Sequence, residues 1–220
     1  MPIAKKYDKD FFKTWSSDMA YVLGFMYADG NVVETKRGNH YVAIYSADKP
    51  IMFAMRRAFK AEHKISARIS MTGCVYRIQI GSQEWFSDIA KLGLFPNKMK
   101  RLVLPKVPRV FFGDFIRGYF DGDGNVWSGF INKKRKTPTR VIQAVFTSGA
   151  HDYLVSLRNA LAQQGIRGGG LYVSKKGAYS RLILSTLDAL KLYEIMYNGP
   201  HALHLKRKRV RFEQFMKLRE

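Results

Sequence analysis

The chain has 220 residues, 46% of them hydrophobic, and carries 38 lysines and arginines against 17 acidic residues, a formal charge of +21. That composition is enough for a sizeable core, and the charge names a polyanion partner: ribosomal proteins, membrane-surface binders and enzymes of DNA or RNA share it. A single cysteine, Cys74, excludes an internal disulfide framework and a cysteine-built zinc site, and no segment of about 18 apolar residues is available to span a membrane.

In chain order, the N-terminus lacks the apolar stretch of a secretory signal, so a soluble, intracellular protein is expected. Residues 8–16 read as a lead-in, with Ser16 or Ser17 as N-cap of a first helix. From Met19 to Ala28 no residue is charged, which predicts a helix buried on every side. Strands follow near Asn31–Thr35 and Tyr41–Ser46, then a helix over Ile51–Ala61 that Ser46 or Asp48 could cap. A hairpin pairs Ile65–Ser70 with Cys74–Ile80 around Thr72 and Gly73, and a third helix covers Ser82–Leu92. Cys74 is expected as a small buried hydrophobe in its strand.

Pro105 and Pro108 break the pattern, and the same order then recurs. A helix is expected over Val110–Gly122 and a strand over Asn125–Phe130. A basic loop from Asn132 leads to a strand over Arg140–Thr147. A helix at His151–Gln163 ends at Gly165, and a hairpin joins Leu171–Ser174 to Tyr179–Ser185. The last helices are expected over Leu187–Tyr197 and Lys206–Leu218. Each half reads αββαββα, so the expected class is α+β, with halves 1–104 and 105–220 related by pseudo-symmetry.

The repeat is sharpest in one stretch. Tyr-Val-Leu-Gly-Phe-Met-Tyr-Ala-Asp-Gly-Asn-Val from Tyr21 matches Phe-Ile-Arg-Gly-Tyr-Phe-Asp-Gly-Asp-Gly-Asn-Val from Phe115. Gly24 and Ala28, like Gly118 and Gly122, stand four apart on one helix face, where small residues let two helices meet backbone to backbone. Asp29 and Asp123 end these helices, and Gly30 and Gly124 are expected as left-handed C-caps. A carboxylate at the negative end of a helix dipole is a poor choice for stability. Its repetition points to chemistry rather than to turn capping alone. Two carboxylates brought together repel each other unless one protonates or a cation sits between them.

These two stretches resemble the signature motifs of the LAGLIDADG homing endonucleases in their single-chain, two-motif form, and the αββαββα repeat extends the resemblance over nearly the whole chain. The resemblance implies motif helices at the interface of the halves (Gly24, Ala28, Gly118, Gly122), sheets that form a DNA-binding saddle, and double-strand cleavage of a long site. It implies a divalent-metal site at Asp29 and Asp123 with the adjoining Gly30 and Gly124, served by Mg²⁺ or Mn²⁺, and a basic residue near each acid. Lys98 and Lys206 match that place best, with Lys100 and Lys208 as alternatives. The first motif has Tyr27 where the second has Asp121, which argues that Asp121 is structural or supports the metal ligands from behind. Ser46 and Thr147, at the ends of matched strands, are weaker candidates to position water. The family's setting implies an intron-encoded or free-standing monomer in a bacterial cytoplasm or an organelle.

For DNA contact, alternation in the hairpins puts Arg77 and Gln79 on one sheet face, with Arg181 and Tyr179 at matched places. Arg68, the loop residues Lys133, Lys134, Arg135 and Lys136, and Arg140 join them as the candidate DNA-binding set. A basic, polar sheet face suits a major groove, where arginine reads guanine and glutamine reads adenine. Double-stranded DNA is the expected partner. The rival is an RNA maturase acting on intron RNA, or a non-cleaving binding protein on the same fold. Two further patterns fail. Asp121-x-Asp123-x-Asn125 lacks the glycine and glutamate of a calcium loop, and His201-x-x-His204 lacks partners for a metal.

Overall fold

The computed structural model describes residues 5–71, 73–98, 101–200 and 203–219; Thr72 of the expected hairpin turn, Lys100 and His201 lie outside them. The described elements are α1 (Ser17–Asp29), β1 (Gly30–Glu34), β2 (His40–Ser46), α2 (Lys49–Ala58), β3 (Ser66–Ser70), β4 (Gly73–Gly81) and α3 (Gln83–Lys91). The order then repeats with α4 (Phe112–Asp123), β5 (Gly124–Ile131), β6 (Thr139–Ser148), α5 (His151–Gln163), β7 (Gly170–Val173), β8 (Ser180–Leu184), α6 (Thr186–Tyr197) and α7 (Lys206–Lys217). Two antiparallel sheets result, ordered β1-β2-β4-β3 and β5-β6-β8-β7, so the fold is α+β with one topology used twice. Among the described residues no helix is long and apolar enough to cross a membrane.

Contacts group the chain into two compact units. One comprises Met1–Lys98, Pro105–Gly122 and His201–His204; the other comprises Met99–Leu104, Asp123–Pro200 and Leu205–Glu220. The second motif helix, α4, therefore packs within the first unit, although it belongs to the second copy of the sequence repeat.

The first unit's core forms where Val32, Val42, Ile44, Ile78 and Ile80 turn to the helix side of their sheet. Trp85 of α3 anchors it. Its ring lies edge-on to Tyr7, Phe12 and Phe59 at 5.0–5.4 Å, and its Nε1 donates to the Asp8 carbonyl at 2.9 Å. Such aromatic pairs add about 0.5–1.5 kcal/mol each beyond their buried area. The lead-in segment is thereby tied to the core. In the second unit Ile142, Ala144, Phe146, Leu182 and Leu184 of the sheet, Tyr153 and Leu154 of α5 and Phe212 of α7 are all fully buried.

Helix starts follow local chemistry. Ser16 Oγ accepts from the Met19 amide at 3.1 Å, and Ser82 Oγ accepts from the Trp85 amide at 3.0 Å, so both serines act as N-caps. α2 starts at Lys49 rather than at Ile51, because Pro50 suits a first helical turn, and Asp48 makes no side-chain cap bond. It stops at Ala58, short of Ala61, where Lys60 takes φ 51°. A 3₁₀ turn at Arg109–Phe111 occupies the expected start of α4. Cys74 is half-buried at the exposed end of its hairpin rather than in the core, since β3 and β4 extend past the helices there, leaving Ile69 83% exposed.

Candidate functional site

The site begins with the contact of α1 and α4. A Cβ on Gly24 would overlap the Phe115 carbonyl and come within 2.9 Å of the Tyr119 amide; one on Gly118 would overlap the Tyr21 carbonyl and come within 2.9 Å of the Phe25 amide. The contact is reciprocal, because residues 21 and 24 of one motif meet residues 118 and 115 of the other. Next along the seam, a Cβ on Gly122 would overlap that of Ala28 and lie 3.5 Å from Asp29 Oδ2. The Asp29 carboxylate therefore lies against the end of α4, beside the residue that precedes Asp123 in the chain.

Both acids stand at a corner where a helix becomes a strand with no loop between. α1 ends at Asp29 and β1 begins at Gly30; α4 ends at Asp123 and β5 begins at Gly124. Gly30 is not a left-handed cap. Its backbone is extended (φ −90°, ψ 155°), its amide donates to the Met26 carbonyl, and Gly124 too is absent from the positive-φ glycines. Glycine is required at position 30 because a Cβ would lie 2.6 Å from both Cα and the carbonyl oxygen of Met26. Close approach, rather than backbone handedness, sets the residue there. Asp29 is half-buried and Asp123 is exposed.

A lysine ammonium closes each corner. Lys98 Nζ donates to the carbonyls of Met26, Tyr27 and Ala28, those to Tyr27 and Ala28 at 2.8 and 2.9 Å. Three protons thus meet the last carbonyls of α1, and a cation offsets the negative helix end that Asp29 occupies. In the second unit, Lys208 Nζ donates to the Gly124 carbonyl at 2.6 Å and is only 4% exposed. Lys206, the other choice in that segment, is exposed at the first position of α7. The Gly124 carbonyl oxygen already carries a cation.

Around the seam lies a buried polar network, of which sequence reasoning passed over the Asp114–Arg117 pair. Arg117, 1% exposed, donates to Asp114 Oδ1 at 2.7 Å and to the Leu203 carbonyl at 2.9 Å, and lies over the Tyr21 ring. The Ser17 hydroxyl donates to the same Asp114 oxygen at 2.6 Å. The signal was readable: Asp114 and Arg117 are opposite charges three apart on one helix. Asp121 is buried and accepts from the Tyr21 hydroxyl at 2.8 Å. Its counterpart Tyr27 donates to the Leu92 carbonyl at 2.7 Å, and burial pushes its phenol well above the usual range.

Ser46 Oγ accepts from the Asp48 amide at 3.1 Å, and Ser148 Oγ accepts from the Ala150 amide at 3.1 Å. Ser148, rather than Thr147, is therefore the counterpart of Ser46. Strand pairing agrees, since Thr147 stands opposite Arg181 as Tyr45 stands opposite Arg77.

The outward sheet faces hold most of the candidate DNA-binding residues. Arg68, Arg77 and Gln79 share one face in the first unit, where Tyr45, Ser66, Ser70 and Val75 help to line a groove of about 590 Å³ with both arginines. In the second unit Arg181 lies over the Tyr179 ring at 5.0 Å. Arg140 pairs with Phe130, on the same side of the strand as Ile142, and lies over that ring at 5.5 Å. Lys133, Lys134, Arg135 and Lys136 are exposed in the loop between β5 and β6.

The Asp29 carboxylate offers oxygen atoms, the donor type that hard divalent cations take. Among the described residues no group of three or more histidine, cysteine or acidic side chains gathers.

No protein-family model matches the chain, and no curated protein sequence does. Solved structures do. The I-LtrWI LAGLIDADG homing endonuclease bound to target DNA matches with a TM-score of 0.59 and 11% identity over 96% of this chain and 90% of that one. The homing endonuclease I-WcaI bound to its DNA recognition sequence matches with a TM-score of 0.61 and 16% identity over 93% and 91%. Variants of the homing endonuclease I-DmoI match with a TM-score of 0.59 and 15% identity over 92% and 98%. With two copies of one sheet topology and most of each chain covered, this protein has the fold of the LAGLIDADG homing endonucleases.

Proposed function

We propose that the protein is a sequence-specific, double-strand DNA endonuclease whose two halves each address part of one long site. The observation that carries this reading is the pair of matched Asp-Gly corners, each closed by a lysine ammonium on the carbonyls beside the acid. A sheet face rich in arginine and glutamine enters the major groove, and the net charge of +21 favours the phosphate backbone. I-SmaMI has been solved bound to an uncleaved DNA target in the presence of calcium ions, and lysine-to-alanine variants of it have also been solved. Both facts favour a metal-assisted reaction with lysines nearby.

In this reading Asp29 and Asp123 hold Mg²⁺ or Mn²⁺, one acid for each strand. The bound ion supplies a water of lowered pKa and offsets the charge that develops on the scissile phosphate. Lys98 and Lys208 hold the helix ends, and so the acids, in place.

Incubating a randomised duplex library with Mg²⁺ and sequencing the cut ends supplies the target. Asp29→Asn and Asp123→Asn should then each abolish double-strand cleavage while leaving specific binding within a few-fold. Undiminished cutting by both variants would sink the site assignment. Binding of intron RNA without any cleavage of DNA would favour a maturase instead.

A further inference from the structure

The two outward sheet faces have the same topology and different chemistry. On the first, strand register lines up Asn31, Ala43 and Gln79 in one row and Tyr45, Arg77 and Ser66 in the next, with Arg68 beside Val75. The second lines up Asn125, Val145 and Ile183, then Trp127 and Gln143, then Gly129 and Val141, with Thr147, Arg181 and Tyr172 in the row that answers Tyr45, Arg77 and Ser66. Where the first face offers Gln79 and Arg77, the second offers Ile183 and Arg181. Trp127 is 40% exposed, and Val141, Val145 and Ile183 are half-exposed, so these apolar groups are open to a partner. The arginines differ as well. Arg181 rests on Tyr179, whereas Arg68 and Arg77 line an open groove.

We propose that the two faces read different bases, the β1–β4 face taking guanine and adenine by hydrogen bonds and the β5–β8 face taking thymine through its methyl group. The proposal rests on the DNA-binding reading above and deepens it. In the major groove the thymine methyl is the one apolar feature of a base edge, while guanine offers two acceptors that match an arginine fork. A valine or isoleucine set against guanine N7 and O6 would strip their water and return no hydrogen bond. Set against a methyl, it loses nothing and buries apolar area. The neighbouring basic residues, Lys133, Lys134, Arg135 and Lys136 on the loop beyond β5, commit the apolar face to a polyanion rather than to a protein. The target should therefore be lopsided, with a half-site containing guanine under the first unit and an A·T-rich half-site under the second.

The test uses the full chain carrying Asp29→Asn and Asp123→Asn, so that DNA is held uncut. Duplexes are selected from a random library, and Arg77→Ala, an exposed change on a sheet face, marks the half-site that the first unit reads. Deoxyuridine is then substituted for thymidine, or 7-deazaguanine for guanine, in one half-site at a time, with affinity followed by fluorescence anisotropy. Each methyl removed from the second unit's half-site should weaken binding roughly fourfold, with little change in the other half. Loss of guanine N7 should weaken only the first unit's half-site, and Arg77→Ala should relax its base preference roughly tenfold or more. Equal losses in both halves, or none in either, would overturn the partition of bases while leaving DNA binding intact. Failure to enrich any duplex would instead reject the DNA-binding reading itself.

Discussion

α1 and α4 occupy matched places in the repeat and are built differently. From Met19 to Tyr27, α1 buries nine residues without a charge, whereas α4 buries Asp114, Arg117 and Asp121 in a stretch of similar length. At an offset of 94, Ala20 answers to Asp114, Leu23 to Arg117 and Tyr27 to Asp121. What the helices share is the seam: Gly24 against Phe115 and Gly118 against Tyr21. The lesson is that the backbone contact and the terminal Asp-Gly are fixed in common, while the flanks are secured by whatever chemistry closes them. Breaking the shared part should therefore have the largest effect. Gly24→Ala or Gly118→Ala places a methyl inside a backbone carbonyl that no rotamer can move, and each should cost about 3 kcal/mol or more in urea denaturation. A loss below about 1 kcal/mol for both would show that the helices are not held in close contact.

The difference between the helices predicts an effect of comparable size. Arg117→Leu alone leaves the Asp114 charge buried and should cost about 3–5 kcal/mol. Asp114→Ala combined with Arg117→Leu copies the α1 residues into α4 and removes both charges together. The double variant should recover at least about 1 kcal/mol of the single loss, although Ser17 and the Leu203 carbonyl each lose a partner. A double variant that is less stable than Arg117→Leu alone would mean that the pair contributes more than mutual neutralisation.

Much of this was legible in the sequence because the repeat is written in local signals. The uncharged run through Met19–Ala28 announced α1, alternation announced β4 and β8, and Ser82 announced the cap of α3. The errors came where tertiary contact decided the outcome. Gly30 reads as a left-handed cap after an acid, yet the nearness of Met26 is what requires it, and that nearness depends on β1 starting at once. Ser148 rather than Thr147 answers Ser46: the longer β5–β6 hairpin hides the register, and an error of one residue in matching it reverses strand parity. The choice between Lys206 and Lys208 turned on which face of α7 meets Gly124, and adjacent basic residues gave no periodicity to decide it. The burial of Arg117 depends on the distant Leu203 carbonyl and Tyr21 ring, which no local pattern announces.

The smallest expected effect probes the start of α1, where it meets the charged part of α4. Burial holds the Asp18 carboxyl above its ordinary value, the Asp114 charge pushes the same way, and Arg117 pulls it down. A folded value above the unfolded one means that Asp18 stabilises the fold fully while protonated. That contribution is lost as pH rises from the ordinary value of 3.8 through the raised one. Asp18→Asn cannot ionise, so the variant should match the wild type below that window and exceed it above. The margin should be about 0.5 kcal/mol or less, because Asp18 is partly exposed and solvent screens it. Stability followed by urea denaturation from about pH 3 to about pH 7 checks this. Combining Asp18→Asn with Arg117→Leu should widen the margin, since the residue that eases the Asp18 charge is then gone. A variant less stable than the wild type near neutrality would show instead that the dipole at the start of α1 favours the acid more than burial opposes it.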